Sequence, residues 1–120
     1  MRRTLLIVED TELDRDLLVQ IFEGTYDIRL APDGMTAYEL ASNDPPDLIL
    51  MDIGLPGLSG LDVVRAIRAT GSAVPIIAVS SRVMPGDKER ALAAGCDDFM
   101  AKPIDDLVLV DMVGRLLNTP

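Results

Sequence analysis

Four short apolar runs in this chain each stop at a polar, chemically reactive side chain. The runs span residues 5–8, 48–51, 76–79 and 99–101, and the residues that follow them are Glu9 with Asp10, Asp52, Ser80 and Lys102. Apolar runs this short, bounded by polar and turn residues, are typical of buried strands in a parallel sheet. The carboxyl ends of such strands share one edge of the sheet, where ligands bind in open α/β folds. We therefore expect these polar groups to converge.

The first segment between these runs has the spacing of a helix. Thr11 and Asp14 resemble a capping box, which predicts a helix start at this point. Gly24 marks the expected end of the helix. The apolar positions predicted to share one helix face are Leu13, Leu17, Leu18, Ile21 and Phe22.

The remaining segments supply one more strand and four more helices. Residues 26–31 alternate as a strand, and Asp33 can cap a helix over about residues 34–42. A helix is predicted over about residues 60–69, and another starts near Pro85 and ends at Gly95. The last helix runs over about residues 105–117. It is expected to turn Leu109, Val113 and Leu116 toward the sheet, and its further apolar residues are Val108, Val110 and Met112.

Strands and helices in alternation predict a doubly wound α/β fold with helices on both faces of a parallel sheet. We expect a flavodoxin-like sheet of five strands in the order 2-1-3-4-5 with five helices, forming a single domain over residues 1–120. In this order the switch point lies between the first and third strands. Glu9, Asp10 and Asp52 should then flank the crevice where a ligand binds.

Composition narrows the possible partners and the compartment. The chain has 20 acidic against 11 basic residues, a net charge of −9, which opposes binding to nucleic acid or to anionic membranes. No apolar run approaches the roughly 20 residues of a membrane span, and the start of the chain does not resemble a signal peptide. We expect a soluble, cytosolic protein. The single cysteine, Cys96, cannot form an intramolecular disulfide and is interpreted as a loop residue.

The predicted crevice has the chemistry of a phosphoryl-transfer site. Two carboxylates 4 Å apart repel each other by about 4 kcal/mol at an effective dielectric of 20, so a cation is needed there. Carboxylate oxygens favour Mg2+, whereas the absence of histidine and the single cysteine argue against zinc. Lys102 and Ser80 could hold a tetrahedral anion beside the metal. Asp52 is then the candidate nucleophile.

Along essentially its whole length the chain resembles a response-regulator receiver domain, the family whose fold is also called CheY-like. The motifs that carry the resemblance occur in family order and spacing. They are Val8-Glu9-Asp10, Leu50-Met51-Asp52-Ile53, Leu55-Pro56-Gly57, Ser59-Gly60, Ser80 and Lys102-Pro103. The sequence around residues 84–87 and 94–97 is more similar to single-domain cell-cycle regulators and hybrid-kinase receivers than to transcription-factor receivers.

The resemblance implies a phosphoacceptor switch in a two-component system or phosphorelay. Asp52 would accept a phosphoryl group from the phosphohistidine of a sensor histidine kinase or phosphotransfer protein. Mg2+ would be held by Asp10, Asp52 and the backbone carbonyl of Gly54, with Glu9 acting through water. The domain would be a regulatory phosphoacceptor, with only self-phosphorylation from small donors and self-dephosphorylation as its own chemistry.

The resemblance also implies how the signal is read. Lys102 would pair with the phosphoryl oxygens and Ser80 would donate a hydrogen bond to one of them, while Phe99 occupies the aromatic switch position. The fourth helix, fifth strand and fifth helix, about residues 85–117, would form the output face for a downstream protein. The peptide bond before Pro103 is expected to be cis.

Two positions depart from the commonest family pattern, and three others correspond to positions that tune phosphoryl lifetime in relatives. Serine replaces threonine at Ser80, and Phe99 lacks the hydroxyl of tyrosine, but the switch should survive both changes. The positions that tune phosphoryl lifetime in relatives are Gly54, Ser81 and Arg82.

Two other classes of function are compatible with parts of the pattern. A phosphatase of the haloacid-dehalogenase type also uses an aspartate after a strand, but it needs a second aspartate where this chain has Gly54, and usually a cap domain. A receiver-like interaction module that works without phosphorylation has the same spacing and remains the alternative. Dinucleotide and P-loop sites lack their glycine-rich loops here.

Overall fold

A computed structural model describes residues 2–54, 59–80 and 84–117. Strands and helices alternate along these residues. The strands are Thr4–Val8 (β1), Asp27–Ala31 (β2), Leu48–Asp52 (β3), Ile76–Ser80 (β4) and Asp98–Ala101 (β5). The helices are Glu12–Phe22 (α1), Gly34–Asn43 (α2), Gly60–Ala69 (α3), Asp87–Ala94 (α4) and Asp106–Leu117 (α5).

All strand pairings are parallel, and the order across the sheet is β2-β1-β3-β4-β5. This confirms the doubly wound fold and the strand order predicted from the sequence. The register places Val8 opposite Met51, Asp52 opposite Val79 and Ser80 opposite Ala101. The carboxyl ends of β1, β3, β4 and β5 therefore lie side by side at one edge.

The strands send alternate side chains into two separate apolar layers, because successive residues of a strand point to opposite faces. Leu5 and Ile7 of β1 pack in the layer under α1 and α5, whereas Leu6 and Val8 pack in the layer under α2, α3 and α4. The central strands β3 and β4 are buried at every position. Coverage on both faces explains why their sequences are continuously apolar rather than alternating.

The capping box predicted at the start of α1 is wrong, because its side-chain hydrogen bond is not formed. Thr11 is the residue before the helix, but its side chain makes no capping hydrogen bond. The predicted apolar face is also too wide. Leu18 and Phe22 are buried, whereas Leu13 is 79% exposed and Leu17 is 38% exposed. Leu13 lies in the first turn of α1, where its side chain is left in solvent.

Three other predicted details differ from the structure. Strand β2 does not alternate cleanly, since it is an edge strand in which Leu30 is 45% exposed. Helix α4 begins at Asp87, so Pro85 lies in the preceding turn, although Gly95 ends the helix with φ 119° as predicted. In α5 the third residue buried with Leu109 and Val113 is Leu117, while Leu116 is only partly buried.

No helix in the described ranges is long and apolar enough to cross a bilayer. Cys96 is buried, and burial raises the pKa of its thiol to about 11. The thiol is therefore protonated at neutral pH and is a poor nucleophile.

Helix α3 starts unusually close to the end of β3, and this approach predicts a strict need for glycine at residue 60. A Cβ atom on Gly60 would lie 2.5 Å from the Asp52 carbonyl oxygen and 2.5 Å from the Ile53 Cα. We expect Gly60→Ala to lower the free energy of unfolding by about 1–3 kcal/mol, because backbone atoms must move to relieve the overlap. Urea denaturation measures this.

Gly24→Ala is the matched control, since a Cβ atom there would meet nothing within 4 Å. Its free energy of unfolding should be unchanged or slightly raised, because alanine reduces the freedom of the unfolded chain. Equal effects of the two substitutions would contradict the steric argument.

Candidate functional site

Three carboxylates meet at the carboxyl ends of β1 and β3. One oxygen from each of Glu9, Asp10 and Asp52 lies within 4.8 Å of the others. Glu9 and Asp52 are buried, with 0% and 6% of their surface exposed, whereas Asp10 is exposed. The cluster is thus open to solvent on one side and lined by protein on the other.

Backbone hydrogen bonds hold the two buried carboxylates in place. The Gly54 N–H donates to Asp52 Oδ1 at 2.9 Å, and the Thr11 N–H donates to Glu9 Oε1 at 3.2 Å. The Glu9 N–H in turn donates to the Ala31 carbonyl at 3.1 Å, which extends the pairing of β1 with β2 to this residue. One oxygen of each side chain is therefore fixed by the main chain. Asp52 Oδ2 and Glu9 Oε2 are left to interact with other groups.

Lys102 reaches into the cluster from the end of β5. Its Nζ donates to Glu9 Oε2 at 2.9 Å and to Asp14 Oδ2 at 2.8 Å, and it lies 3.9 Å from Asp52 Oδ2. The Lys102 side chain is only 12% exposed. This ammonium offsets part of the repulsion among the acidic groups, so the positive charge that the acidic cluster requires is supplied in part by the protein itself.

The electrostatics follow from burial and from these contacts. Burial raises the pKa of Glu9 to about 7, an effect that its proximity to Asp52 strengthens and the hydrogen bond from Lys102 opposes. Burial alone would lower the pKa of Lys102, but the hydrogen bonds to Asp14 and Glu9 and the charge of Asp52 raise it above its ordinary value. Lys102 therefore remains a cation at neutral pH.

Ser80 and Phe99 belong to the neighbouring strands β4 and β5. Ser80 is the buried last residue of β4, and its carbonyl accepts a 2.7 Å hydrogen bond from the Lys102 N–H. Phe99 is half-buried and packs in the layer of α2, α3 and α4, on the other face of the sheet from α1. The serine is thus joined to the lysine through the main chain, and the phenylalanine lies one layer away from the carboxylates.

The other predicted positions are placed as follows. Gly54 is exposed two residues after the end of β3, and the peptide bond between Lys102 and Pro103 is cis. Leu55-Pro56-Gly57, Ser81 and Arg82 lie outside the described residues.

Asp14 belongs to the site, and sequence reasoning missed it. We predicted a capping role for it, but its carboxylate accepts a hydrogen bond from Lys102 instead. The local sequence carried no signal of this contact, which follows from side-chain alternation in the folded sheet. Met100 packs in the α1 and α5 layer, and Lys102, two residues later, continues on that face. A first-turn acid on α1 is therefore within its reach.

The donor set fits a hard divalent cation. The clustered atoms are all carboxylate oxygens, which Mg2+ prefers, and Mg2+ commonly uses only one or two protein carboxylates with water completing its shell. No histidine occurs in the chain, and Cys96 is not part of the cluster. The residues present therefore suit Mg2+ better than a softer metal.

A parallel sheet of this order, with an acidic cluster and a lysine at its carboxyl edge, agrees with the class of regulatory α/β domains that the sequence resembles. The family model for the response regulator receiver domain matches residues 5–114. The chain belongs to this family, which confirms the resemblance drawn from the sequence. It is thus a two-component signalling domain and a regulatory phosphoacceptor rather than an enzyme.

Individual relatives agree with this assignment. The polar-differentiation response regulator DivK of Brucella anthropi is 39% identical over 107 residues, covering 87% of this chain and 87% of that protein. The receiver domain of a sensor histidine kinase from Pseudomonas aeruginosa superposes with a TM-score of 0.89 at 34% identity, covering 99% and 100% of the two chains, and that structure has a magnesium ion in its active-site cleft. The receiver domain of a Syntrophus aciditrophicus histidine kinase gives 0.83 at 33% identity, covering 96% of this chain and 89% of that one.

The raised pKa of Glu9 predicts a specific pH dependence of stability in metal-free protein. The folded state holds the Glu9 proton up to about pH 7, whereas the unfolded chain releases it near the ordinary value of 4.5. The contribution of Glu9 is therefore fully present below pH 4.5 and is lost as the pH rises to 7, by at most about 1.4 kcal/mol per pH unit.

Urea denaturation with a chelator, at several pH values between 4.5 and 7.5, checks this expectation. Glu9→Gln should remove the decline, and Glu39→Gln, a change at an exposed residue of α2, should retain it. The same decline in wild type and Glu9→Gln would show that other groups cause it.

Proposed function

We propose that Asp52 is the phosphoacceptor and receives its phosphoryl group from a phosphohistidine of a sensor histidine kinase or phosphotransfer protein. The observation that carries the proposal is the environment of its carboxylate. Oδ1 accepts the Gly54 N–H at 2.9 Å, while Oδ2 faces the Lys102 ammonium at 3.9 Å. A buried carboxylate held in this way presents one oxygen, already oriented, to an incoming phosphorus atom. We place the exchange in the cytoplasm.

The transfer itself is a simple displacement. An Asp52 oxygen forms a bond to phosphorus as the phosphorus–nitrogen bond of the phosphohistidine breaks, and the electron pair of that bond stays on the imidazole nitrogen. The products are an acyl phosphate on Asp52 and a free histidine. The imidazole nitrogen that carried the phosphoryl group keeps the electron pair and can bind a proton.

The remaining site residues support this step by charge and position. Asp10 and Asp52, with the Gly54 carbonyl and with Glu9 acting through water, would hold Mg2+, which when bound neutralises charge on the transferring phosphoryl oxygens. Lys102 is a second cation whose ammonium already lies beside Asp52. Ser80, buried at the end of β4, would donate its hydroxyl to a phosphoryl oxygen. Gly54 adds no side chain to shield the acyl phosphate, so lifetime tuning would fall to Ser81 and Arg82.

Phosphorylation would change the state of the domain by adding charge and acceptor oxygens next to Ser80 and Lys102. The conformation that contacts both groups with the phosphoryl group is then favoured. Phe99 lies opposite Ala78, which precedes Ser80 by two residues in β4. Its ring would turn inward as Ser80 moves toward the phosphoryl group.

The output face would be built from α4, β5 and α5, which would contact a downstream protein. Several large apolar side chains are exposed there, which is typical of a surface that a protein partner covers. They are Leu92 at 43%, Leu107 at 83%, Val108 at 44% and Val110 at 45% exposure. The DivK relative, by its name a response regulator, supports a regulatory role of this kind.

Intact mass after incubation with acetyl phosphate tests the acceptor. Wild type should gain one phosphoryl group when Mg2+ is present and none with a chelator, and Asp52→Asn should gain none. Asp106→Asn, a change at an exposed position of α5, should behave like wild type. No gain by wild type under any condition would reject the proposal in favour of an interaction module that works without phosphorylation.

A second test addresses the metal. Because Asp10 lies in the acidic cluster, Asp10→Asn should reduce repulsion and raise the melting temperature of metal-free protein by about 3 °C, while shrinking the additional stabilisation that Mg2+ gives. Thermal unfolding with chelator and with Mg2+ measures both. Asp16→Asn, at an exposed position of α1, should leave the Mg2+ effect intact. An unchanged Mg2+ response in Asp10→Asn would refute the assignment of this residue as a ligand.

A further inference from the structure

The contact between Asp14 and Lys102 joins helix α1 to the end of β5. Asp14 lies in the first turn of α1, and its Oδ2 is 2.8 Å from Lys102 Nζ, the shortest of the three carboxylate distances around this ammonium. Asp14 is 35% exposed, whereas Glu9 and Asp52 are almost fully buried. Asp14 therefore holds the lysine from the solvent side of the cluster.

The ammonium is engaged by two carboxylates that are not the acceptor. It donates hydrogen bonds to Glu9 and Asp14 at 2.9 and 2.8 Å, but its distance of 3.9 Å from Asp52 Oδ2 is too long for a hydrogen bond. A hydrogen bond between two charged groups is shorter and stronger than a neutral one. Lys102 thus lies beyond hydrogen-bonding distance of Asp52.

We propose that Asp14 is a positioning residue that holds the Lys102 ammonium away from Asp52 in the unphosphorylated domain. This inference rests on the proposed function, in which Lys102 pairs with the phosphoryl oxygens. The phosphoryl group must then compete with Asp14 for the same ammonium. Asp14 thereby sets how readily the phosphorylated state forms, without itself touching the phosphoryl group.

Asp14→Asn is the informative substitution, because asparagine keeps the size of the side chain and loses its charge. The ammonium should then be held less firmly and should bind a phosphoryl mimic more readily. Asp16→Asn is the matched control, since it makes the same chemical change on the same helix at an exposed residue that has no recorded contact with Lys102 in the described part of the chain.

The first readout is the side-chain ammonium signal of Lys102 in proton–nitrogen NMR of the unmodified protein. The chain has two lysines, and Lys88 is exposed, so the protected signal belongs to Lys102. Asp14→Asn should shift this signal and speed its exchange with water, whereas Asp16→Asn should do neither. A signal unchanged by Asp14→Asn would overturn the proposal.

The second readout is the affinity for beryllium fluoride, a mimic of an aspartyl phosphate, at a fixed Mg2+ concentration. Asp14→Asn should bind it about threefold more tightly than wild type, the effect of losing one partly exposed ion pair. In a Lys102→Met background the same substitution should have a smaller effect, because only the long-range field of the lost charge remains. An equal effect in both backgrounds, or an equal effect of Asp16→Asn, would overturn the role of the lysine contact.

The two proposals fail in different ways. If wild type does not bind beryllium fluoride, or if Asp52→Asn binds it equally well, the phosphoacceptor function is rejected. The proposed competition between Asp14 and the phosphoryl group is then rejected as well. If wild type binds at Asp52 but Asp14→Asn matches the Asp16→Asn control, the phosphoacceptor function stands and the positioning role of Asp14 is rejected.

Discussion

The site depends on the position of one ammonium among four carboxylates. Glu9 and Asp52 are buried with almost no exposed surface, and like charges a few ångströms apart in such a setting repel strongly. Lys102 relieves this repulsion by hydrogen-bonding Glu9 and Asp14 and lying 3.9 Å from Asp52. Without a cation at this point, nothing would offset the repulsion among the carboxylates at the carboxyl edge of the sheet. The chemistry proposed for Asp52 therefore depends on this balance between the ammonium and the carboxylates.

This arrangement requires the sheet to hold its strand ends in register. Asp52 pairs opposite Val79, and the Lys102 N–H donates to the Ser80 carbonyl, so β3, β4 and β5 end at the same level. The close approach of Gly60 to the backbone of Asp52 and Ile53 ties the start of α3 to the same place. Asp52, the proposed acceptor, is thus held by main-chain contacts on several sides. Positional precision of this kind is what phosphoryl transfer needs, because little other covalent chemistry is left for the protein to do.

The fold was predictable because the strand sequences contain the apolar residues of both layers. The continuous apolar runs of β3 and β4 mark them as central, and the alternation of strands with helical segments leaves few possible topologies. Local details were less predictable. Leu13 has the spacing of a core residue but is exposed in the first turn of α1, and the exposed Leu30 belongs to an edge strand. Spacing identifies the apolar positions of an element but not which of them a neighbouring element covers.

The sequence by itself determined which residues gather at the carboxyl edge, since Glu9, Asp10, Asp52, Ser80 and Lys102 each follow directly from the end of an apolar run. Tertiary structure decided which of them touch. Asp14 had a reasonable local role as a capping residue, and its contact with Lys102 joins positions 88 residues apart in the chain. Local sequence pattern reports backbone preferences over a few residues, whereas an ion pair depends on the packing of α1 against the sheet. For that reason the polar residues of the carboxyl edge could be recognised in the sequence, but the contact between Asp14 and Lys102 could not.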